Sequence, residues 1–320
     1  MKKLLRILGT ILFLLLFVLS VGPFLVLVPP LENTVSARSL AEEPSQFLTL
    51  PYPGTDGLDI HYWDSETDGQ NYLLLHGFAS NLYTWDELFP YLAEQGRVAS
   101  YDRIGFGLSE RPLAGSWQAE NPYSRDAAVS HAITFMDELR LDSAILVGNS
   151  AGGSLAMQIA LEHPDRVDGL ILAAPAVFTG NGAPAFVVSL AETPQLQRIG
   201  PLFARILATL EPPDTYTAVQ KERAAIGTKV DNWDVALWEF TAASSQFDLE
   251  SRFAELTLPI LVIAGADDTI VPTEQSIRLA GELPNAELVV IPDCGHTPQQ
   301  ECDAAFNQAV EDWLATLPGK

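Results

Sequence analysis

The stretch Ile145-Leu146-Val147-Gly148-Asn149-Ser150-Ala151-Gly152-Gly153 joins a β-rich run to an apolar helix through a G-x-S-x-G pentapeptide. A strand that turns sharply into a helix leaves no room for Cβ atoms beside the central residue, so glycines are needed around Ser150. The turn holds Ser150 Oγ in the open at the C-terminal end of the strand. The helix starts there too, so the backbone N–H of Ala151 points at developing negative charge. As a bare string the motif is only a Gly-rich turn; its strand-turn-helix setting makes Ser150 the candidate nucleophile.

Outward from this turn, short β-rich runs alternate with amphipathic helices, which is the mark of an α/β fold with a mostly parallel, twisted sheet covered on both faces. Strands are expected at 58–63, 71–76, 97–102, 143–148, 168–175, 258–264 and 286–291, and helices at 82–95, 124–140, 150–163, 273–282 and 299–316. Val129, Ile133, Met136 and Leu139 make one apolar stripe on the second helix, and Phe306, Val310, Trp313 and Leu314 make another on the last. Residues 177–250 interrupt the alternation with helix-like pieces at 194–210 and 231–243. A structureless loop of that length is improbable, so the segment reads as a helical cap over a core formed by 46–176 and 251–320.

A serine hydroxyl needs a base to take its proton. Five histidines are available. His131 sits opposite the apolar stripe of its helix and reads as solvated; His163 lies at a helix exit; His61 falls within an early strand; His76 stands in a turn where a structural hydrogen bond is expected. His296 remains, in Asp293-Cys294-Gly295-His296, a loop at the C-terminal edge of the sheet where α/β folds place their sites. The imidazole in turn needs an acid to fix its tautomer. The strand 260–264 leads into Gly265-Ala266-Asp267-Asp268, which offers two carboxylates, and local sequence does not choose between them. The chain order Ser, Asp, His is the one expected for a nucleophile-elbow hydrolase. A second oxyanion donor is expected from the loop after Leu73-Leu74-Leu75, at the backbone N–H of Phe78.

The 320 residues carry 18 Lys+Arg against 41 Asp+Glu, a formal net charge of −23, which argues against nucleic acid as a partner. With 48% hydrophobic and 18% charged residues the chain has material for a sizeable core. Gly105-Phe106-Gly107 begins like a dinucleotide fingerprint, but Glu110 stands where its third glycine would be. No His/Asp/Glu cluster has metal-ligand spacing, so no metal and no organic cofactor is expected. Cys294 and Cys302 are free thiols or, in an oxidising compartment, a pair.

Lys2, Lys3 and Arg6 precede an apolar run from Ile7 to Val28, closed by Pro29-Pro30. At 1.5 Å per residue such a run is roughly 33 Å of helix, enough to cross a bilayer of about 30 Å and longer than the apolar part of a cleavable signal. Residues 1–30 therefore read as an N-terminal membrane anchor or uncleaved signal, followed by a linker at 31–45. The basic residues on the N-terminal side place the rest of the chain outside the cytoplasm, or secreted if the segment is cleaved.

His76-Gly77-Phe78, Asp102-Arg103-Ile104-Gly105-Phe106-Gly107-Leu108-Ser109, the turn at 148–152, Gly265-x-x-Asp268-x-x-Val271-Pro272 and Gly295-His296 together resemble the α/β-hydrolase superfamily over about residues 47–320. The resemblance implies that Asp268 is the acid, that Phe78 and Ala151 are the oxyanion donors and that 177–250 is the family's variable cap. Ser150 excludes the alkyl-enzyme chemistry of members with Asp at the elbow. Asn149 and Gly152-Gly153 are similar to the meta-cleavage-product hydrolases, which cut carbon-carbon bonds. Phe78-Ala79-Ser80-Asn81 in place of their Gly-rich loop, and Thr297 in place of the aromatic after their histidine, depart from that pattern. The expected activity is therefore hydrolysis of a carboxylic ester of a small or hydrophobic molecule through an acyl-enzyme on a Ser150-His296-Asp268 triad, in the manner of carboxylesterases. The alternatives are carbon-carbon hydrolysis of the meta-cleavage type and a non-catalytic surface binding protein on the same fold. Phe186, Phe203, Leu207, Trp233, Trp238 and Phe240 of the cap point to an apolar acyl group.

Overall fold

A computed structural model describes residues 2–118, 120–178, 185–209, 212–245 and 247–317; residues 179–184, 210–211 and 246 of the expected cap, like 1, 119 and 318–320, lie outside the described residues. Among the described residues eight strands form one sheet: β1 Gln46–Leu50, β2 Leu58–Asp64, β3 Gln70–Leu75, β4 Gly96–Tyr101, β5 Ala144–Asn149, β6 Val167–Ala173, β7 Ile260–Gly265 and β8 Ala286–Ile291. Their order is β1-β2-β4-β3-β5-β6-β7-β8. β2 runs antiparallel to both of its neighbours and the strands from β4 to β8 are parallel.

The helices are α1 Lys2–Leu25, α2 Leu88–Ala93, α3 Arg125–Glu138, α4 Ala151–Glu162, α5 Ala185–Ala191, α6 Pro194–Leu207, α7 Ala218–Ala224, α8 Trp233–Ala243, α9 Thr273–Glu282, α10 Pro298–Glu301 and α11 Asp303–Leu314. Side chains alternate across the pleat and so feed two cores. Leu73, Leu75 and Leu146 pack with Phe135 of α3, Leu155 of α4 and Leu279 of α9. Tyr72, Leu74, Ile145 and Val147 pack on the other face with Leu88 of α2 and Phe306, Val310 and Trp313 of α11. β5 is buried along its whole length, which fixes the strand that ends at Ser150 in the middle of the sheet.

Several expected elements differ in detail. β1 was not anticipated, because this edge strand is mostly half-exposed and lacks an alternating pattern. The expected helix 82–95 is a 3-10 turn at Leu82–Trp85 followed by the short α2. The last helix is divided at Cys302, which is bonded to Cys294 across the intervening loop, with Cα atoms 6.1 Å apart. Two further helices, α5 and α7, join α6 and α8 between β6 and β7. The stretch 31–45 is more than a tether: Val35 bridges Val230, and Ala37–Leu40 forms a 3-10 turn. In α1 the window Leu8–Leu25 is long and apolar enough to cross a membrane, and none of its described side chains is buried. The chain leaving α1 passes along α6, where Arg205 Nη2 donates to the Pro29 carbonyl at 2.8 Å.

Candidate active site

β5 passes into α4 through Ser150, whose φ of 52° and ψ of −118° lie outside the regions that L-residues favour. The glycines explain why the turn closes. A Cβ at Gly148 would meet the Gly152 carbonyl, and one at Gly152 would meet the carbonyl of Leu75 on β3. Gly77 lies against the same turn, with an added Cβ only 3.3 Å from that of Ser150, so the loop carrying Phe78 is drawn alongside the serine. The amide of Ala151 opens α4, as the sequence anticipates.

Asp268 sits in the turn after β7 and is 7% exposed. Its Oδ1 accepts the backbone N–H groups of Ile270 at 2.8 Å and Val271 at 2.9 Å, which leaves Oδ2 to accept His296 Nδ1–H at 2.8 Å. Asp267 is exposed. With the proton on Nδ1, the imidazole keeps its Nε2 lone pair for a partner. The histidine loop is held from three sides. Asn149 Nδ2 donates to the His296 carbonyl at 3.2 Å and to the Ala173 carbonyl at 3.1 Å. Thr297 N–H donates to Glu301 Oε1 at 2.9 Å, and the Cys294–Cys302 bond closes the base of the loop. Asn149 was legible as part of the turn; that it ties the serine strand to the histidine loop was not.

Ser150 and His296 face one cavity of about 530 Å³. Phe78 and Phe106 line it on the sheet side, and Leu207, Trp233 and Leu237 line it from the helices above. Of the apolar side chains expected to shape the pocket, only Leu207 and Trp233 reach it. Phe203 stacks on Trp238 with centroids 6.1 Å apart, and Phe186 is 74% exposed.

The remaining histidines have other work. His76 Nδ1–H donates to the Gly77 carbonyl at 2.8 Å, and its Nε2 accepts the Arg103 N–H at 2.9 Å. Burial holds it neutral, lowered to about 4. His61 Nδ1–H donates to Asp102 Oδ2 at 2.7 Å, both side chains fully buried, and its Nε2 accepts from the half-buried Ser45 Oγ at 2.7 Å. His131 is a correction: it is 5% exposed rather than solvated, because Tyr52 from the loop after β1 covers that face of α3, ring centroids 5.2 Å apart. Its burial also lowers it to about 4. Among the described residues no group of His, Cys, Asp and Glu is arranged to hold a metal.

The α/β-hydrolase fold family matches residues 73–301. The 2-hydroxymuconate semialdehyde hydrolase of Pseudomonas sp. (strain CF600) is 32% identical over 76% of this chain and 86% of its own. The 2-hydroxy-6-oxo-6-phenylhexa-2,4-dienoate hydrolase of Burkholderia cepacia is 30% identical over 85% of this chain and 96% of its own. Among solved structures, a thermophilic esterase from Thermogutta terrifontis superposes with a TM-score of 0.67 at 25% identity, covering 84% of this chain and 98% of the esterase. The sheet order, the turn at Ser150 and these matches agree, and the chain belongs to the α/β-hydrolase fold family and is a hydrolase.

Proposed function

We propose that the chain is a serine hydrolase that cleaves the carbon-carbon bond of a vinylogous 1,5-diketone acid. The observation that carries the serine mechanism is the cavity shared by Ser150, on its positive-φ turn, and by His296, whose Nδ1 is engaged by Asp268. The bond class rests on the relatives, which are named for 2-hydroxymuconate semialdehyde and for a 2-hydroxy-6-oxo dienoate.

In this reading Ser150 Oγ forms a bond to the ketone carbon while its proton passes to His296 Nε2, and Asp268 stabilises the imidazolium. The N–H groups of Phe78 and Ala151 hold the oxyanion. Collapse breaks the adjacent carbon-carbon bond, its electron pair flows into the conjugated carbonyl, and His296 returns the proton to that fragment. Water, deprotonated by His296, then cleaves the acyl-enzyme, releasing an acid and restoring Ser150. A second reading, hydrolysis of a carboxylic ester by the same residues, is favoured by Phe78-Ala79-Ser80-Asn81, by Thr297 and by the likeness to the Thermogutta esterase. The full chain in detergent is tested with a 2-hydroxy-6-oxo dienoate beside p-nitrophenyl butyrate. A kcat/KM at least tenfold higher for the dienoate, with both activities lost in Ser150→Ala, supports the carbon-carbon reading; the reverse preference replaces it with the ester reading.

We further propose that α1 anchors the enzyme with its catalytic part outside the cytoplasm and that the helices from α5 to α8 cap the site. Lys2, Lys3 and Arg6 before the apolar run support the orientation, and the Cys294–Cys302 bond suits an oxidising compartment. Retention in the membrane pellet after alkaline carbonate extraction is expected; recovery of a chain shortened by about 37 residues in the medium contradicts the anchor.

A further inference from the structure

Helices α5 and α6 turn their larger apolar side chains outward. α6 buries its small residues: Ala204 packs with Leu237 of α8, and an added Cβ on Gly200 would meet the Trp238 ring. Phe203, Ile206 and Leu207 of the same helix are exposed, and their spacing of three to four residues puts them on one side of it. α5, in contact with α6, exposes Phe186, Val187 and Leu190. A helix bathed in water keeps its larger apolar residues inward, so two adjoining helices with the opposite order present a face that lacks its partner.

The partner is indicated by what α6 already holds. Its Gln195 Nε2 reaches the Ser20 carbonyl at 3.4 Å, its Arg198 Nη2 the Val26 carbonyl at 3.5 Å and its Arg205 Nη2 the Pro29 carbonyl at 2.8 Å. Carbonyls at a helix exit lack intrahelical partners, and arginines of α6 supply two of them as α1 ends. Arg205 Nε also donates to Asp234 Oδ2 of α8 at 2.8 Å, which ties this exit to the body of the molecule. Laid across a bilayer, Leu8–Leu25 spans about 27 Å of a hydrocarbon layer of about 30 Å, so Leu25 falls at its edge and Ser20 about 7 Å inside it. α6 is thereby held at that edge. Phe24, Leu25, Val26 and Leu27 are exposed too, so the apolar surface of α1 continues in that of the helix docked on it. Charge agrees: residues 185–207 carry one acid, Glu192, against Arg198 and Arg205, in a chain of formal net charge −23. The repulsion that an acidic protein exerts on lipid headgroups is relieved where these two helices stand.

We propose that the α5–α6 face is a lipid-binding surface, seated in the leaflet at the C-terminal end of α1 with Phe186, Leu190 and Ile206 among the acyl chains. The proposal rests on the reading of α1 as an anchor and goes beyond it: the body of the enzyme sits on the membrane by its own helices rather than hanging from a tether. The contact is apolar, so neutral phosphatidylcholine suffices and salt does not weaken it. Leu207 belongs both to this face and to the wall of the Ser150 cavity, so the seated enzyme holds that wall at the lipid surface.

Full-length protein is labelled with the thiol-reactive fluorophore nitrobenzoxadiazole in Phe17→Cys of α1, Leu190→Cys of α5, Ile206→Cys of α6 or Ile277→Cys of α9. Cys294 and Cys302 are bonded to each other, so the introduced thiol is the one that reacts. All four positions are exposed, and α9 packs on β7 and β8, so Ile277 serves as the water-facing reference. Each protein is reconstituted into phosphatidylcholine vesicles with and without lipid carrying a doxyl quencher on its acyl chains. Quenching by about half or more is expected at Phe17, Leu190 and Ile206, and by about a tenth or less at Ile277, at low and at high salt alike. Because α5 and α6 report separately, one variant that does not fold leaves the other to decide. Quenching at Phe17 with none at Leu190 and Ile206 overturns the seated face and leaves the anchor. The reverse pattern leaves a lipid-seated face and contradicts the anchor. Blue-shifted emission at Leu190 and Ile206 that doxyl lipid does not quench assigns the face to a second copy of the chain and overturns the proposal, as does quenching at Ile277 equal to that at Ile206.

Discussion

The proposed catalytic set Ser150-His296-Asp268 has a counterpart among the described residues in Ser45-His61-Asp102, and both histidines give Nδ1–H to their aspartate, at 2.8 Å and 2.7 Å. The surroundings separate them. His61 is fully buried, its Nε2 is already satisfied by Ser45, and Asp102 also accepts the amides of Leu82 and Leu108 at 2.7 Å and 2.6 Å. Both ring nitrogens of His61 have a fixed partner, so the trio fastens the chain just before β1 and the loops after β3 and β4 to one another. His296 retains some exposure and borders the cavity of Ser150 with Nε2 unclaimed. Ser45 borders no part of that cavity, and no positive-φ turn presents it. What distinguishes a catalytic arrangement from a brace is an unspent acceptor next to empty space.

The contrast is broken most forcefully at Ser150. Ser150→Ala is expected to lower kcat by on the order of 10⁴-fold or more without lowering Tm, since the turn and its glycines are untouched. Asp268→Asn is expected to cost about 10³ to 10⁴-fold in kcat, because the amide no longer selects the tautomer with a free Nε2. The other trio responds in the opposite currency. Asp102→Asn is expected to destabilise the fold by about 3–5 kcal/mol in denaturant unfolding, as it leaves buried donors and His61 without their charged partner, while the rate per folded molecule changes little.

Acid sharpens the same distinction. His76 and His131 have folded values lowered to about 4 against an ordinary 6.5, so below pH 6.5 the unfolded chain binds protons that the folded chain refuses. Their contribution is complete above 6.5 and is lost as the pH falls toward 4, on the order of 3 kcal/mol for each histidine. Thermal unfolding from pH 7 to 4 is expected to show this decline unchanged in Ser150→Ala. The smallest effect belongs to Ser45→Ala, about 1 kcal/mol from one lost hydrogen bond, with hydrolysis intact.

Much of this was legible in the chain. The central strands β5 and β7 are nearly continuous apolar runs and the turn at Ser150 carries its glycines in sequence, so the middle of the sheet and the serine could be placed directly. Asp268 could be separated from Asp267 only through the family pattern, and the structure gives the physical reason: one carboxylate is buried by the amides of its own turn, the other faces water. Other features depend on what distant segments cover. His131 looked solvated on its helix until Tyr52 is laid over it, and β1 hides because an edge strand has no buried face to announce. Arg103 stands beside Asp102 in sequence, and only the assembled loops show that the carboxylate is committed elsewhere.

The most direct test is fluorophosphonate labelling of the full-length protein followed by peptide mapping. One equivalent of label on Ser150, absent after Ser150→Ala, is the expected result. A folded, unlabelled protein, or label on Ser45, would contradict the assignment of the two trios.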